Sequence, residues 1–471
     1  MISQYAARLA LLVVAATGGG CATLGADRGR LETDNLVSSR SHPALEWAQS
    51  PTADADAARL REQPMTPVNA VQMALLRSPQ LQQEYARLGL IRADVQEAIQ
   101  VANPRLNARR LAGEGLVTTT LGVAMPLVDL LVLPTRVRLA RADYERAKRE
   151  IAAAILAVTA EVEAGWYEYV GAQQIADMRA TVSKGMATAA DLAQRFFDAG
   201  NITELQLKQE QAAASQARID AARARADAQR ARLHLNTLIG ISGADADWPV
   251  SAQLPSPAAE EDSAEVLQML STKTNLQLMA ARQEVVVLEG ALAATRRFRL
   301  LGGTEIGYER EREEDGARLK GPTIDLELPV FNQGQARVAR AQALLAQSRA
   351  RLAQFELAAG NAVRLGAERV RVLRDIVATH RDALIPQRES VVARSQEQQN
   401  YMIIGVFELI QAKRQEYDAY QSYLEAIRDY WLARTDLLRA VGARLPSESM
   451  AAPGSPMNLR DTPVRSPGGQ R

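Results

Sequence analysis

One order of sequence features occurs twice along this 471-residue chain. The matching anchors are Met125-Pro126-Leu127 with Leu328-Pro329-Val330, Phe197-Asp-Ala-Gly200 with Met402-Ile-Ile-Gly405, and Leu238-Ile-Gly240 with Ala440-Val-Gly442. The offsets between paired anchors are 203, 205 and 202 residues, far longer than the period of a solenoid repeat. Three anchors at nearly one offset indicate an internal duplication. We therefore expect the fold to be built from two copies of one unit.

Each copy is predicted to contain the same parts in the same order: a helix, two short alternating runs, a very long helical stretch ending near a glycine, and a last helix. The predicted helical stretches are 67–102, 135–199 and 203–239 in the first copy, and 264–300, 335–400 and 407–441 in the second. Prolines between the copies predict a linker, and ends rich in Pro, Ser, Gly and Asp predict extended or disordered segments. The predicted boundaries are a first repeat at 66–240, a linker at 241–263, a second repeat at 264–442, an N-terminal extension at 21–65 and a disordered tail at 443–471.

The long stretches carry heptad seams, which are typical of helices packed as coiled coils. One seam steps by three and four residues through Val338, Ala341, Leu345, Ser348, Leu352 and Phe355, and another steps by seven through Leu205, Ala212, Ile219, Ala226 and Leu233. A stretch of about 65 residues makes a helix roughly 100 Å long. Two of the shorter helices stacked end to end would match it. Heptads alone also fit a cytoplasmic coiled-coil rod.

The short runs alternate between apolar and polar residues, as strands with one apolar face do. In the second copy Ile306 and Tyr308 alternate with polar residues, a polar turn follows, and Ile324 and Leu326 continue the alternation. The first copy has a similar pair of runs near 105–125. Each run has about 9–11 residues, the length of a tilted membrane strand. A small soluble sheet that caps the helices is the alternative interpretation.

The composition excludes several classes of function. The 56 Lys and Arg balance 55 Asp and Glu for a formal net charge of +1, whereas nucleic-acid binders show a basic excess or a basic patch. One Cys excludes a disulfide framework and a Cys-rich zinc site. The three His lie far apart, which makes a histidine metal site improbable. Because no catalytic constellation or phosphate-binding loop can be argued, we expect neither an enzyme nor a cofactor.

The N-terminus has the pattern of a targeting segment. A weakly basic start precedes the short apolar run 9–16, which is too short to span a bilayer as a helix. Small residues follow and lead to Cys21, the only cysteine of the chain. This pattern predicts a cleaved signal peptide at 1–20. Cys21 stands where a bacterial lipoprotein carries its lipid, although Gly18 replaces the usual Leu of that motif. The alternative is an ordinary signal peptide with an incidental cysteine.

Four strands cannot close a barrel in a membrane. Open strand edges cannot face lipid, because each unpaired backbone group there costs several kcal/mol. The smallest membrane barrels have about eight strands. If the strands span a membrane, several copies of the chain must therefore share one barrel.

Taken together, these features resemble the TolC-type outer-membrane efflux factors over about 66–442. The residues that carry the resemblance are Asn103-Pro104, the junction Leu328-Pro-Val-Phe-Asn-Gln-Gly-Gln-Ala336, the breaks at Gly200 and Gly405, and the helix ends at Gly240 and Gly442. Two further segments resemble the cation-efflux (CzcC-like) or copper-linked members, namely Gly405-Val-Phe-Glu-Leu-Ile-Gln-Ala-Lys413 and Asp429-Tyr-Trp-Leu-Ala-Arg434. The family has a mostly α fold in which long helical hairpins form a periplasmic tunnel below a membrane β-barrel.

The resemblance also implies an assembly and its site residues. It implies a homotrimer with one barrel in the bacterial outer membrane, joined by a periplasmic adaptor to an inner-membrane pump, and often lipid-anchored at a cysteine such as Cys21. The turns at Gly200 and Gly405 would dock the adaptor, and we expect both glycines to be left-handed helix caps. Glu204 and Glu408 resemble acidic positions near the constricted tunnel end, with Lys208 and Lys413 as compensating neighbours.

The function expected from this resemblance is passive export of small molecules or metal ions. The alternative class is a periplasmic coiled-coil scaffold or a pump adaptor. An adaptor normally has one helical hairpin inserted in β-rich domains, which fits two hairpins and two strand pairs poorly.

Overall fold

The structure is a computed structural model and describes residues 28–41, 53–113, 116–250, 253–300, 303–313 and 315–447. The helices are α1 (Arg28–Ser38), α2 (Ala53–Glu62), α3 (Pro67–Arg77), α4 (Pro79–Ile99), α5 (Leu127–Asp198), α6 (Glu204–Ile239), α7 (Ala264–Thr274), α8 (Leu276–Phe298), α9 (Gln335–Thr379), α10 (Ile385–Asn400) and α11 (Val406–Val441). The strands are β1 (Arg105–Gly113), β2 (Leu116–Pro126), β3 (Glu305–Arg312) and β4 (Arg318–Asp325). A mostly helical fold with four strands is therefore confirmed.

The longest helix, α5, has 72 residues and starts directly after β2. At 1.5 Å per residue it is roughly 108 Å long. Its first part packs against α4, where Arg136 donates to the Ala98 carbonyl oxygen at 2.9 Å, and its later part packs against α6. The end of α6 meets the α3–α4 junction, since a Cβ on Gly240 would lie 2.3 Å from the Arg77 carbonyl oxygen. Two shorter helices stacked against one long helix are thus confirmed.

The second copy repeats this arrangement. Helix α8 packs on α9, with Arg349 and Glu289 2.6 Å apart, and α11 packs on α9 and α10. A π-helical turn at His380–Leu384 joins α9 to α10. Pro386 lacks an N–H, and its ring would clash with the carbonyl group four residues earlier in a regular helix. A wider turn relieves that clash, so the long helix stays continuous through the proline.

The two copies pack side by side through α5. Helix α5 contacts both α8 and α11 of the second copy. The Tyr167 ring stacks on the Trp431 ring with 5.0 Å between centroids, and Arg179 lies 3.2 Å from Asp418. The strands join in one antiparallel sheet with the order β1-β2-β3-β4, in which β2 and β3 pair across the two copies. The two copies therefore form one structural unit with a shared helix bundle and a shared sheet.

The largest core lies near the middle of the helices. There the linker and the segment that precedes the first repeat contribute buried side chains to the bundle, and the Trp166 indole N–H donates to the Met65 carbonyl oxygen at 2.7 Å. The Trp431 indole N–H donates to the Pro255 carbonyl oxygen at 2.8 Å. On the C-terminal side of the second repeat, Leu445 is buried in the same core. Three of the four tryptophans of the chain are buried or half-buried in this belt, which concentrates its few aromatic side chains where segments converge.

The structure differs from the sequence predictions in the N-terminal extension and in the bounds of three helical stretches. The segment predicted to be extended before residue 65 contains α1 and α2, because apolar side chains such as Val37 and Ala57 are fully buried against the bundle. The predicted first helix of each copy is broken, at Ser78 and at Asn275. Ser78 is extended because Pro79 disfavours the helical conformation of the preceding residue. Asn275 caps α8 by accepting from the Leu278 N–H at 3.1 Å.

Helix α5 also begins earlier than predicted, since Pro134 lies inside its first turns rather than before its start. Within the described ranges, none of the helices combines the length and the apolar character needed to cross a membrane.

Candidate functional site

One face of the sheet presents apolar side chains outward. The strand registers form two adjacent rows on that face. One row contains Leu106, Val123, Tyr308 and Pro322, and the other contains Met125, Ile306 and Ile324. Most of these side chains are exposed, and Ile324 reaches 71 % exposure. A contiguous exposed apolar surface of this kind indicates contact with lipid or with another protein.

The opposite face of the sheet is polar and carries more acid than base. Arg105 donates to Glu305 at 2.6 Å across the intervening strand β2. The same face holds the further charged residues Arg109, Glu309, Glu311 and Asp325. Four carboxyl groups thus share this face with two guanidinium groups. Such a face is suited to water and to cations.

Glycines on the polar face allow the sheet to curl towards it. A Cβ on Gly122 would lie 2.7 Å from Cγ of Glu309, and a Cβ on Gly307 would lie 2.7 Å from Oγ1 of Thr323. Glycine within a strand marks a tight bend or a close approach. The polar face is therefore crowded at these glycines, and the β3 side chains on it are less exposed than those on the apolar face.

Both outer strands of the sheet have an unpaired edge. Strands β1 and β4 each pair with one neighbour only in the part of the chain that the structure describes. Open edges bind further strands readily, so natural proteins cover or close them. A second copy of the chain could supply that closure.

The other end of the bundle carries the two hairpin tips. In the first tip α5 ends at Asp198, and Gly200 takes a left-handed φ of +76°. Thr203 then starts α6 with a capping box, in which its side chain and that of Gln206 bind each other's backbone N–H. A glycine cap and a capping box together define a tight turn between the two helices.

The second tip does not use its glycine as expected. Gly405 has φ of −74° and is the residue that precedes α11, so the predicted left-handed cap at Gly405 is wrong. Met402 takes the left-handed conformation instead, with φ of +59°. An offset of 202 residues, that of Gly240 and Gly442, pairs Gly200 with Met402 and pairs Thr203 with Gly405. The helix ends at Gly240 and Gly442 therefore align the two copies correctly, whereas aligning Gly200 with Gly405 does not.

Glu204 and Glu408 both lie in the first turn of the helix that leaves a tip. Both side chains are exposed. A carboxylate there is favoured by the positive end of the helix dipole. Lys208 donates to Gln211 at 3.3 Å rather than to Glu204, and Lys413 lies 2.6 Å from Glu416. Each predicted basic neighbour therefore contacts another residue of its own helix, and not Glu204 or Glu408.

The structure brings the two tips together. The Phe196 and Phe407 rings meet edge to face with 6.1 Å between centroids. Further along α6, burial raises the pKa of the Glu210 carboxyl, and the positive charge of Arg414 on α11 opposes that shift. Sequence reasoning missed this ring contact, although three of the six phenylalanines of the chain, Phe196, Phe197 and Phe407, stand beside the predicted tips. Cys21, the remaining predicted site residue, lies outside the described residues.

Comparison with known proteins agrees with this geometry. Residues 70–241 match the family described as outer membrane efflux protein. Protein CyaE of Bordetella pertussis is 25 % identical over 344 residues, which cover 67 % of this chain and 69 % of that protein.

Two solved structures show the same architecture. A structure of CusC, described in terms of folding and transmembrane channel formation, aligns with a TM-score of 0.67 at 15 % identity, covering 82 % of this chain and 94 % of that one. The outer-membrane channel OprN aligns with a TM-score of 0.66 at 15 % identity, covering 87 % and 96 %. This chain therefore has the fold of the outer-membrane efflux channels.

Proposed function

We propose that this protein is the outer-membrane channel of a tripartite efflux system, a passive conduit from the periplasm to the exterior. The observation that carries the proposal is the sheet with an exposed apolar face and a polar face, at one end of a helical bundle whose longest helix, α5, is roughly 108 Å long. The apolar face suits lipid, the polar face suits a water-filled lumen, and the helices suit a periplasmic tunnel. The family match over 70–241 and the shared fold support it.

The working form in this proposal is a homotrimer. The open edges of β1 and β4 require pairing with other strands in lipid, since no backbone group there can bind water. Three copies of the four-stranded sheet would close one barrel large enough for a lumen, as the resemblance to the TolC-type factors implies.

The proposed partners are a periplasmic adaptor at the hairpin tips and, through it, an inner-membrane pump. Gly405→Val is the sharpest probe of adaptor docking, because Gly405 has ordinary backbone geometry and open space around its Cα. We expect crosslinking of the variant to its adaptor to fall while its trimer and its conductance persist. Undiminished crosslinking in Gly405→Val, and also in Gly200→Val, would refute docking at the tips.

A lipid on Cys21 is a further part of the proposal. Its support is the position of the only cysteine after a short apolar run. One acyl chain binds membranes only marginally, but several chains anchor firmly. A palmitate analogue should label the wild type and not Cys21→Ser, and the variant should still reach the outer membrane because the barrel is a second anchor. Equal labelling of both proteins would remove the lipid from the proposal.

The exported substrate is proposed to be a small molecule or a metal ion, with the cation-efflux (CzcC-like) branch as the finer assignment. Its support is the likeness of the segments 405–413 and 429–434 and the excess of carboxylates on the polar face of the sheet. In the described ranges no three His, Cys, Asp or Glu side chains are grouped to hold a metal. If the cation-efflux assignment is right, complementation of an efflux-deficient strain should restore tolerance to divalent cations more than to dyes, because the carboxylates of the polar face favour cations without a fixed metal site.

Single-channel recording in planar bilayers tests the central proposal. The purified protein should give ohmic steps that persist for seconds, as a fixed water-filled pore does. A periplasmic scaffold or a pump adaptor would insert no pore, so a complete lack of conductance from correctly folded protein would favour those alternatives.

A further inference from the structure

The apolar face of the sheet ends in a group of basic side chains next to the hairpin turns. The register aligns Arg110, Thr119, Arg312 and Arg318 in one row, and Ala108, Leu121, Arg310 and Lys320 in the adjacent row of the same face. Five cationic side chains therefore lie within two rows, and we call Arg110, Arg310, Arg312, Arg318 and Lys320 the basic rim. All five are exposed.

The basic rim is electrostatically costly as it stands. Arg312 lies directly opposite Arg318, and Arg310 lies directly opposite Lys320. Side chains in such positions are about 5 Å apart, and like charges there destabilise a sheet. Among the residues that the structure describes, no carboxylate forms an ion pair with any of the five. The carboxylate of Asp315, in the adjoining turn, accepts instead from the backbone N–H of Ala317 at 2.8 Å. Within the described residues, the opposed charges of the rim therefore have no carboxylate partner.

The position of the rim matches a lipid headgroup. Ile324 on this face is followed, after the end of β4, by the exposed apolar side chains of Leu326, Leu328 and Val330. The eight residue steps from Pro322 to Val330 span at most roughly 26 Å, and a tilt of about 45° reduces this to roughly 19 Å, somewhat less than the roughly 25 Å of a lipid-facing band. The rim stands at the end of the apolar face that is distant from the helices. In the proposed orientation that end is the outer leaflet.

We propose that the basic rim binds the phosphate groups of an anionic lipid in the outer leaflet. Guanidinium groups bind phosphate oxygens in a two-pronged fashion, and a group with several phosphates would neutralise the opposed pairs at once. This inference rests on the proposed function, because that function sets the membrane and the orientation. A trimer would carry three such rims around one barrel.

Native mass spectrometry of the full-length protein in detergent tests the proposal with three lipid probes: a bisphosphorylated glycolipid of the lipid A type, phosphatidylglycerol and phosphatidylcholine. We expect the wild type to retain the bisphosphorylated lipid most and phosphatidylcholine least. Retention should fall as salt is raised. Each charge near a membrane surface contributes about fivefold in affinity, so Arg310→Gln/Arg312→Gln should weaken retention by roughly 25-fold.

The matched controls use adjacent residues of one strand. Arg110 belongs to the rim and Arg109 faces the polar side, so Arg110→Gln should weaken lipid retention about fivefold and Arg109→Gln should leave it unchanged. Equal retention by the wild type and Arg310→Gln/Arg312→Gln, or retention that salt does not change, would overturn the site. Release of the lipid by an equal concentration of inorganic phosphate would also overturn it, since a free anion would then be the ligand.

Conductance separates this inference from the function on which it rests. If lipid retention fails the test while the wild type conducts, only the rim assignment is wrong. If the wild type forms no pore, the proposed function and its membrane orientation are wrong, and the rim inference is overturned with them.

Discussion

Gly240 and Gly442 end the last helix of each repeat with left-handed φ of +73° and +75°. Each also touches backbone of the next helix layer, because a Cβ on Gly442 would lie 2.8 Å from the Asn275 Cα and a Cβ on Gly240 would come closer still to Arg77. Gly200 has the same backbone sign, with φ of +76°, but open space around it. Gly240 and Gly200 therefore share the left-handed backbone conformation, but only Gly240 also has a backbone neighbour that a Cβ would hit.

We predict that Gly240→Ala destabilises the protein much more than Gly200→Ala. Alanine in the left-handed region costs about 1–2 kcal/mol at both positions. At Gly240 the contact with the Arg77 carbonyl group adds overpacking of about 1–3 kcal/mol. Thermal unfolding of the detergent-solubilised protein measures the difference. Equal losses of melting temperature in the two variants would mean that the α6 end does not pack against the α3–α4 junction as described.

The second residue-scale prediction concerns Glu204 and Glu408. If they form acidic rings at the tunnel end, Glu204→Gln/Glu408→Gln should lower the cation selectivity of the channel and change its conductance. If they only complement the helix dipoles, each substitution should cost about 0.3–1 kcal/mol of stability and leave ion flow unaltered. Reversal potentials in asymmetric salt distinguish the two roles. Unchanged selectivity and conductance would make both residues surface charges.

At the scale of elements, the periodic sequence patterns predicted the long helices and the strands. The heptads predicted the long helices, and the alternation around Ile306 and Ile324 predicted the strands. Only one heptad seam packs as predicted: Leu345 and Ser348 of α9 are buried, whereas all five residues of the seam from Leu205 to Leu233 on α6 are exposed.

The exceptions arise from tertiary contacts that no local pattern records. Helix α1 forms because Val37 finds a buried place on the bundle, and Met402 takes the left-handed position of its tip although a glycine stands three residues later. The adjacency of Phe196 and Phe407 depends on how two copies pack, so the sequence could not supply it.

The sheet permits an element-scale prediction from neighbours in one strand. Ile324 faces outward on the apolar side, and Thr323 faces the polar side. Lysine at 324 should cost roughly 2–4 kcal/mol if that face meets the middle of the bilayer. Lysine at 323 should cost much less, since the lumen can hydrate its charge. The yield of heat-modifiable oligomer in outer-membrane fractions measures both variants, and equal yields would place the apolar face against something other than lipid.

At the scale of the whole molecule, the duplication explains why one chain is incomplete by itself. The two repeats supply two helical hairpins that pack together and four strands in one open sheet, which has two free edges in the described chain. Strands β1 and β4 have 9 and 8 residues with an edge that pairs with nothing in the described chain. Each unpaired backbone group in lipid costs several kcal/mol. In the proposed membrane form, pairing of these edges with further copies would satisfy those backbone groups.

The whole-molecule prediction is that β1 of one copy pairs with β4 of the next in a homotrimer. Native mass spectrometry in detergent should give about three times the protomer mass. In a Cys21→Ser background, Asn107→Cys paired with single cysteines scanned through β4 should yield crosslinked dimers and trimers at one register. Thr120→Cys in the central strand β2 is the control and should give none, because its neighbours belong to its own chain. A stable monomer with intact strands, or crosslinks from Thr120→Cys alone, would contradict closure by edge pairing.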